Sequence, residues 1–365
     1  MERVNVKMKI LQVIPSFALA GAERMCQTLS CELHNAGHEV VVVSLYSQKT
    51  SITDQIEEKG IKLIFLDKKS GFDPSVIRKL KKVIKEERPD IIHTHLGGFE
   101  YAAFASFFSD VKIIHTVHNV AKAECCGNRK KIREYFVSRK KCCMVALSDG
   151  IALTMSEYYK LNIKDIPVAR NGIDITNCVP KNNYSLNDNI KIINIGRLVS
   201  QKNHLCLIDA FEIFLKKYPN AKLFLIGDGE ERLSIENHIS QKKLTENVVL
   251  LGLKDKVYSY LNEADMFVLS STYEGFPMVI IEAMGTGLPI VSTDVGGISD
   301  ALINEQNSIL TAPNADEIAN AMIRFAESEE LREKYGKEAL KDSDKFSSRK
   351  MMEDYLKVYS AVIKK

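Results

Sequence analysis

The sequence predicts an α/β protein with two doubly wound domains, each built on a parallel β-sheet with helices on both faces. Short apolar runs alternate with segments of helical period along the whole 365-residue chain, which is the pattern of βαβ units. The alternation breaks at Asn171-Gly172-Ile173-Asp174 and the polar stretch 180–189, and then resumes. We therefore expect two domains of similar size, joined near residue 172.

The first domain, residues 1–172, contains six apolar runs that predict the strands of one sheet. These runs are 10–14, 40–45, 62–66, 90–95, 112–117 and 142–147. The segments between them predict helices at 22–37, 74–87, 97–109 and 149–160. In the first of these, Ala22, Cys26, Leu29 and Leu33 share one face, as expected for a helix that packs on a sheet.

The second domain, residues 173–346, repeats the arrangement. Its predicted strands are 191–195, 222–226, 248–251, 266–269, 290–292 and 308–310, with a helix at 203–217 after the first of them. The tail predicts helices at 314–328, 330–341 and 348–363. We expect the C-terminal helix, within 347–365, to pack back on the first domain through Met351, Tyr355, Val358 and Val362.

Composition limits the function classes. The chain is 45% hydrophobic and 27% charged with a net charge of +3, which fits a globular protein and does not indicate a nucleic-acid partner. No run of about 18 apolar residues is present, and residues 1–7 mix charges instead of forming a leader peptide. The eight cysteines form no C-x-x-C pair, so no metal site is indicated by them. We expect a cytoplasmic protein.

The most informative motif sets two carboxylates, Glu274 and Glu282, seven intervening residues apart. Glu274 follows a predicted buried strand, at the sheet edge where open α/β sheets bind ligands. Glu282 falls about one turn into a helix that Pro277 can open, and the amides near the helix start form an anion site. The pattern suits a polyhydroxylated, phosphorylated ligand. The alternative is a pair of solvated acids favoured by the helix dipole.

Each sheet also begins with a glycine turn. In the second domain Gly196 allows a sharp turn after the first strand, and Arg197 and Lys202 could together grip a diphosphate. The alternative for these two is exposed surface cations. In the first domain Gly21 opens a helix whose amides a ligand could approach. That turn lacks the G-x-G-x-x-G spacing, and an ordinary tight turn is an equal alternative.

Histidines follow two strands of the first domain. His118 closes the strand 112–117, where it could donate to a sugar hydroxyl or a reacting oxygen, or be structural. Together with His93, His95 and His115 it leaves open a zinc-dependent hydrolase, although carboxylates at the strand ends are missing.

The stretch from Lys122 to Lys141 holds eight cations and two acids, interleaved with apolar residues. Such a basic amphipathic segment could lie on an anionic membrane surface. The cations that we assign to this contact are Arg129, Lys130, Lys131 and Arg133. The alternative is a solvated helix face.

Taken together, these residues resemble the retaining glycosyltransferases of family 4, which have the GT-B fold of two Rossmann-like domains facing across a cleft. The most specific part is Glu274 to Glu282, which matches the family's E-x(7)-E element. Supporting matches, in order along nearly the whole chain, are Gly21-Ala22-Glu23, His118, Asn171-Gly172-Ile173-Asp174, Gly196-Arg197-Leu198 with Lys202, Gly227-Asp228-Gly229 and Gly285-Thr286-Gly287-Leu288-Pro289-Ile290-Val291.

The resemblance implies roles for individual residues. Arg197 and Lys202 would neutralise the donor diphosphate, Glu282 would hold the ribose and Glu274 the donor sugar. His118 would contact that sugar near the reacting carbon. The remaining donor-site residues it implies are Gly21, Gly196, Leu253, Gly275, Phe276, Pro277, Met278 and Val279. The family often has two consecutive glycines at the first turn, where this chain has Ala20-Gly21; we expect the added methyl to narrow the acceptor side.

The activity implied is transfer of a hexose from a nucleoside-diphosphate sugar, preferably a UDP-sugar, to a hydroxyl of a glycolipid or surface polysaccharide such as capsule or lipopolysaccharide. Retention at the anomeric carbon is part of the resemblance. We expect no metal and no cofactor, because the cations and helix starts could stabilise the leaving diphosphate. Attachment to the inner face of the cell membrane is a further expectation. A nucleotide-sugar epimerase and a non-catalytic sugar-nucleotide binder remain alternatives.

Overall fold

A computed structural model of the chain describes residues 7–18 and 20–364. Residues 1–6, which carry most of the segment used above to argue against a leader peptide, lie outside the described residues, as do Lys365 and Leu19 of the first glycine turn. The described chain divides into two compact units. One takes the chain up to Gly172 and again from Ser348 onward, and the other is Ile173–Ser347.

The first unit contains a six-stranded, all-parallel sheet in the order β3-β2-β1-β4-β5-β6. Its strands are β1 (Lys9–Ile14), β2 (Glu39–Ser44), β3 (Lys62–Phe65), β4 (Ile91–His95), β5 (Lys112–Val117) and β6 (Cys142–Ala146). The chain runs outward from β1 to β3 and then returns to place β4 on the other side of β1. This reversal makes the sheet doubly wound, as predicted.

Seven helices join or follow these strands, and an eighth comes from the C-terminus. They are α1 (Gly21–Asn35), α2 (Ser51–Glu58), α3 (Pro74–Glu87), α4 (Gly98–Ala105), α5 (Ala121–Glu124), α6 (Asn128–Ser138), α7 (Asp149–Tyr159) and, at the end of the chain, α14 (Ser348–Ile363). Local chemistry sets several ends. In α3, for example, Asp73 caps the Ser75 amide and Pro74 occupies the first turn.

One predicted helix in this unit was too long. The segment 97–109 is helical only from Gly98 to Ala105. Beyond it, the Ser106 amide and hydroxyl both bond the Ala102 carbonyl, and a serine that bonds back to the helix in this way commonly marks its end.

The second unit has another six-stranded parallel sheet, in the order β12-β11-β10-β7-β8-β9. Its strands are β7 (Lys191–Ile195), β8 (Lys222–Ile226), β9 (Val248–Gly252), β10 (Met266–Leu269), β11 (Ile290–Thr293) and β12 (Ile309–Thr311). Its helices are α8 (His204–Leu215), α9 (Arg232–Gln241), α10 (Tyr258–Glu263), α11 (Met278–Gly285), α12 (Ala315–Glu327) and α13 (Glu329–Ser343).

Each unit has its own core of aliphatic and aromatic side chains between sheet and helices. The last helix, α14, belongs to the first unit. Its hydroxyls bond into the first sheet, with Tyr359 Oη 2.7 Å from His93 Nδ1 and Tyr355 Oη 2.8 Å from Thr116 Oγ1. The α/β fold class with two parallel sheets is thus confirmed. None of the helices in the described part of the chain is both long and apolar enough to cross a bilayer.

Candidate functional site

The turn after β7 is shaped by backbone contacts with the turn after β8. The Gly196 amide donates to the Ile226 carbonyl at 2.9 Å, and the Leu198 amide donates to the Asp228 carbonyl at 3.0 Å. A Cβ at Gly227 would come within 1.8 Å of the Gly196 carbonyl oxygen, and one at Gly229 within 2.3 Å of the Leu198 oxygen. Glycine at both positions therefore lets the two turns touch.

Lys202 reaches from a short 3₁₀ turn, Ser200–Lys202, into this region. Its aliphatic stem passes 3.4 Å from where a Cβ of Gly196 would stand, which is an ordinary contact distance, so the lysine packs over the glycine. The ammonium donates to Glu274 Oε1 at 2.5 Å, with side-chain exposures of 14% for Lys202 and 6% for Glu274. The two residues predicted to bind the diphosphate and the sugar thus form a largely buried ion pair.

Strand order explains why they meet. β7 and β10 are neighbours in the sheet, so the turns that follow them lie at the same edge. The Ser270 hydroxyl donates to the Lys202 carbonyl at 2.9 Å, and the Thr272 amide donates to the Gln201 carbonyl at 2.8 Å. These bonds join the two turns into one surface.

Glu274 is held on both sides. The Ser271 hydroxyl also donates to its Oε1, and the Gly297 amide donates to its backbone carbonyl at 3.2 Å. Gly296 has a φ of +59°, and a Cβ there would come within 1.9 Å of the Glu274 carbonyl oxygen. The hydrogen bonds of its carboxylate to described residues are both made by Oε1 and not by Oε2.

The helix α11 begins directly after this loop, with Pro277 as its N-cap residue in extended conformation. The amides of Met278 and Val279 come before the first intrahelical bonds, where a helix start favours anions. Glu282 lies about one turn further on, as predicted, and is buried.

Not every predicted donor-site side chain is available for contact. Phe276 packs against Phe346 with ring centroids 5.2 Å apart, and it is buried, as are Gly275 and Met278. The Phe276 and Met278 side chains are therefore largely closed to a ligand, and the predicted contact at Met278 is the one made by its backbone amide at the start of α11. Arg197 and Leu253 are exposed, and Arg197 forms no ion pair with any residue that the structure describes.

In the first unit, Gly21 is the first residue of α1, and apart from its chain neighbours and its own helix no described atom lies within 4 Å of where its Cβ would be. Packing within the described residues therefore does not require glycine here. His118 follows β5 and is half-buried. Its backbone amide donates to Glu124 Oε2 at 2.5 Å, and its Nε2 lies 3.0 Å from His95 Nδ1. Burial lowers the pKa of His118 to about 4, so its ring is neutral at pH 7.

The prediction that Arg133 faces a membrane is wrong. Its side chain is fully buried and donates to Glu100 Oε1 at 3.3 Å, Glu124 Oε1 at 2.9 Å and the Leu96 carbonyl at 3.3 Å. A charged residue of a basic stretch can lie on the inner face of its helix when neighbouring elements place carboxylates beside it. Here those carboxylates are Glu100 on α4 and Glu124 on α5.

The other predicted membrane cations are only partly free. Arg129 also pairs with Glu100, at 3.0 Å. Lys130 pairs with Glu134 and stands 4.4 Å from the centroid of the Tyr158 ring. Lys131 is exposed and forms no ion pair within the described residues.

The histidines do not form a zinc site. His93 bonds Tyr359 and Thr116, His95 bonds Gln12 and His118, and His115 bonds Glu124. Among the residues that the structure describes, no group of three or more His, Cys, Asp or Glu could hold a metal ion. The zinc-hydrolase alternative thus loses its geometric basis. Sequence reasoning missed Glu124, which bonds the His118 amide, and Gln12, which bonds His95, because no short motif links them to His118.

Sequence comparison places both halves of the chain in known families. Residues 180–342 match the model described as "Glycosyl transferases group 1", and residues 19–177 match "Glycosyltransferase Family 4". The chain is 31% identical over 285 residues to an uncharacterised glycosyltransferase of Methanocaldococcus jannaschii, covering 76% of this chain and 77% of the relative. It is 28% identical over 281 residues to the UDP-Gal:alpha-D-GlcNAc-diphosphoundecaprenol alpha-1,3-galactosyltransferase of Escherichia coli, covering 71% and 72%.

Solved structures show the same architecture. HepE of Anabaena, crystallised with UDP and glucose, superposes with a TM-score of 0.85 at 19% identity, covering 97% of this chain and 100% of that one. A glycosyltransferase from Rickettsia africae gives a TM-score of 0.84 at 20% identity, covering 98% and 99%. These structures have the GT-B fold, and so does this chain. With the matched family models and the archaeal relative, this establishes that the chain belongs to the family 4 (group 1) glycosyltransferases.

Proposed function

We propose that this glycosyltransferase transfers a hexose from a UDP-sugar to a hydroxyl of a lipid-linked or polysaccharide acceptor, with retention at the anomeric carbon. The observation that carries the proposal is the Lys202–Glu274 ion pair beside Gly196, with the exposed Arg197 next to it. The UDP and glucose bound to HepE and the lipid-linked acceptor in the name of the E. coli relative support the donor and acceptor classes.

The donor would bind by its diphosphate and its hydroxyls. Arg197 has a planar fork that matches phosphate oxygens, and it forms no ion pair with the described residues that a phosphate would have to replace. The ammonium of Lys202 can turn from Glu274 toward a phosphate, and the α11 start adds amide donors. Glu274 Oε2 would then accept from a sugar hydroxyl, and Glu282 from the ribose.

In the reaction, the bond between the anomeric carbon and the diphosphate oxygen breaks as the acceptor oxygen bonds to that carbon on the same face. The acceptor proton passes to the departing diphosphate oxygen. Arg197, Lys202 and the α11 amides would stabilise the charge that develops there. We propose that no metal is required; an enzyme stripped with EDTA and inactive until Mg²⁺ or Mn²⁺ returns would contradict this.

The deciding experiment measures thermal stabilisation and turnover with a panel of UDP-, GDP-, ADP- and CMP-sugars. Arg197→Ala is the test variant, and Arg78→Ala, at an exposed arginine of the first unit, is the control. We expect UDP-sugars to stabilise the wild type and Arg78→Ala, but not Arg197→Ala. No shift with any sugar nucleotide would refute the proposal.

Product analysis separates the alternatives. An epimerase would convert the donor sugar without an acceptor, and a non-catalytic binder would be stabilised without forming product. The anomeric configuration of the transferred sugar, read by NMR, tests retention.

For a lipid-linked acceptor, we propose attachment at the cytoplasmic face of the membrane through the outer surface of the first unit. Phe108 is 90% exposed and stands 6.0 Å from Lys81 Nζ. On α6 the exposed residues include Lys131 and Tyr135, and Arg139 at the helix end lies over the Tyr135 ring at 5.6 Å. Exposed aromatics with cations are what an anionic interface attracts.

Liposome flotation with and without anionic lipid tests this surface. We expect the double variant Phe108→Ser/Lys131→Glu to lose binding to anionic vesicles, whereas Lys337→Glu, at an exposed lysine of the second unit, should bind as the wild type does. Equal binding by all three proteins would contradict membrane attachment through this surface.

A further inference from the structure

A line of buried hydrogen bonds ends at His118. Gln12 lies on β1 and His95 at the end of β4, and both are fully buried. Gln12 Oε1 is 2.9 Å from His95 Nε2, and His95 Nδ1 is 3.0 Å from His118 Nε2. β1, β4 and β5 are adjacent strands, so the sheet itself sets the spacing of the three side chains.

In each hydrogen bond between Gln12, His95 and His118, the donor and the acceptor can be assigned. An amide oxygen can only accept, so His95 Nε2 must carry its hydrogen. Burial holds the pKa of His95 well below its ordinary value, so His95 is neutral and its Nδ1 is an acceptor. His118 Nε2 must then donate to it, which leaves His118 Nδ1 without a hydrogen. Within the part of the chain that the structure describes, Nδ1 has no hydrogen-bond partner.

We propose that Gln12 and His95 are positioning residues that hold His118 as its Nε2–H tautomer, so that Nδ1 presents a lone pair to a hydroxyl of the donor sugar. The contact with the sugar rests on the function proposed above, whereas the assignment of the tautomer is independent of it. His118 would then accept a hydrogen bond from the ligand, whereas the sequence suggested that it donates one.

The Glu124 carboxylate, which lies beside His118, does not set the tautomer of the His118 ring. Glu124 takes the His118 backbone amide, and its Oε1 is engaged by His115 Nε2 at 3.1 Å and Arg133 at 2.9 Å. The carboxylate therefore holds the backbone at His118, and the hydrogen bond to His95 determines the tautomer of the His118 ring. His93 touches the His95 ring, with centroids 4.3 Å apart, but its nitrogens bond Tyr359 and Thr116.

The orientation of the Gln12 amide decides the outcome. In the arrangement described, its nitrogen is buried without a hydrogen-bond partner among the described residues. The reversed amide would point its nitrogen at His95, reverse both donors in the line and place the hydrogen of His118 on Nδ1. The two orientations thus give opposite, observable tautomers.

The first test is ¹⁵N NMR of histidine-labelled protein at pH 7, with the His118 signals assigned by their loss in His118→Gln. We expect Nε2–H in the wild type and a mixture of tautomers in Gln12→Leu. Tyr355→Phe, which removes a buried hydroxyl on the far side of His93, is the control and should keep the wild-type tautomer. A wild-type Nδ1–H signal, or no change in Gln12→Leu, would overturn the proposal.

The second test is kinetic. Loss of the outer partner of a metal-bound imidazole costs about 10- to 100-fold in activity, and we expect kcat/KM for the donor to fall by a similar factor in Gln12→Leu and His95→Phe. His95→Asn, whose amide oxygen can stand where Nδ1 stood, should recover part of the loss. Equal loss in both His95 variants would argue for mere packing and against the proposal. A wild type with the expected tautomer but no transfer would refute the proposed function alone.

Discussion

Lys202 Nζ and Glu274 Oε1 lie 2.5 Å apart although 72 positions separate them in the chain. The pair stands at the edge of the second sheet with little solvent around it. Each charge is therefore compensated before any ligand arrives, and a bound diphosphate would compete with Glu274 for the ammonium. That competition offers a way to couple donor binding to the release of Glu274 toward the sugar.

The pair should show strong energetic coupling. Removing one partner of a buried ion pair leaves the other charge uncompensated and costs about 3 kcal/mol or more, so we expect Lys202→Met and Glu274→Gln each to lower the free energy of unfolding by about 3 kcal/mol. The double variant should lose clearly less than their sum. Urea unfolding measures all three. The exposed Lys337–Glu333 pair is the control, with expected coupling below about 0.5 kcal/mol; additive losses at Lys202 and Glu274 would show that the pair is not coupled.

Gly229 should tolerate no side chain. A Cβ there would meet three backbone atoms of Leu198 at 2.3 to 3.0 Å, and backbone cannot move aside as a flexible side chain can. We expect Gly229→Ala to destabilise the protein by about 3 kcal/mol, at the upper end of overpacking costs, and to weaken sugar-nucleotide binding because the turn after β7 shifts. Gly97→Ala, where the added methyl would meet side-chain atoms only at the ordinary contact distances of 3.7 and 3.8 Å, is the control and should stay within about 0.5 kcal/mol of wild type. Thermal unfolding with and without UDP-sugar checks both.

Arg133 should behave as a structural residue. Its guanidinium pairs with two buried carboxylates, Glu100 and Glu124, and Arg133→Met would leave Glu100 with Arg129 alone and Glu124 with only the His115 ring and the His118 amide. We expect a loss of about 3 to 5 kcal/mol. Lys131→Met on the outer face of the same helix should change stability by less than about 0.5 kcal/mol. If urea unfolding gave the two variants similar free energies of unfolding, Arg133 would have to be a surface residue and not a buried structural one.

Stability should fall in mild acid because of His204. Both of its ring nitrogens are buried without a hydrogen-bond partner among the described residues, and burial lowers its pKa from 6.5 to about 4. Between these values the unfolded chain binds the proton and the folded chain does not. The contribution of His204 is therefore fully present above pH 6.5 and is lost as the pH falls to about 4, in total about 3 kcal/mol.

His204→Leu removes this titration. We expect the difference in unfolding free energy between wild type and variant to shift by about 3 kcal/mol in favour of the variant between about pH 7 and 4. Asn194→Leu, at another buried polar side chain of the same unit, adds no titrating group and should show a constant difference. A pH-independent difference for His204→Leu would mean that His204 titrates normally in the folded chain.

Much of this architecture was predictable from local pattern. Each of the twelve predicted strands is present in the described residues, with its ends within one residue of the predicted positions, because a short apolar run between turn residues has few other ways to fold. The same holds for Glu274 after β10 and Glu282 within α11, since Pro277 marks the helix start from sequence alone. Helix ends were less predictable, as the early end of α4 shows.

By itself, then, the sequence determined the α/β class, the order of its elements and the loops on which Arg197, Lys202, Glu274 and His118 stand. These are properties of neighbouring residues, and periodicity and turn chemistry act over a few positions. The tertiary structure alone decided that Lys202 pairs with Glu274, that Arg133 turns inward, and that His95 bonds both Gln12 and His118. Those contacts depend on which strands are neighbours and which helix face meets a carboxylate, and such relations between distant segments arise only when the whole core has packed.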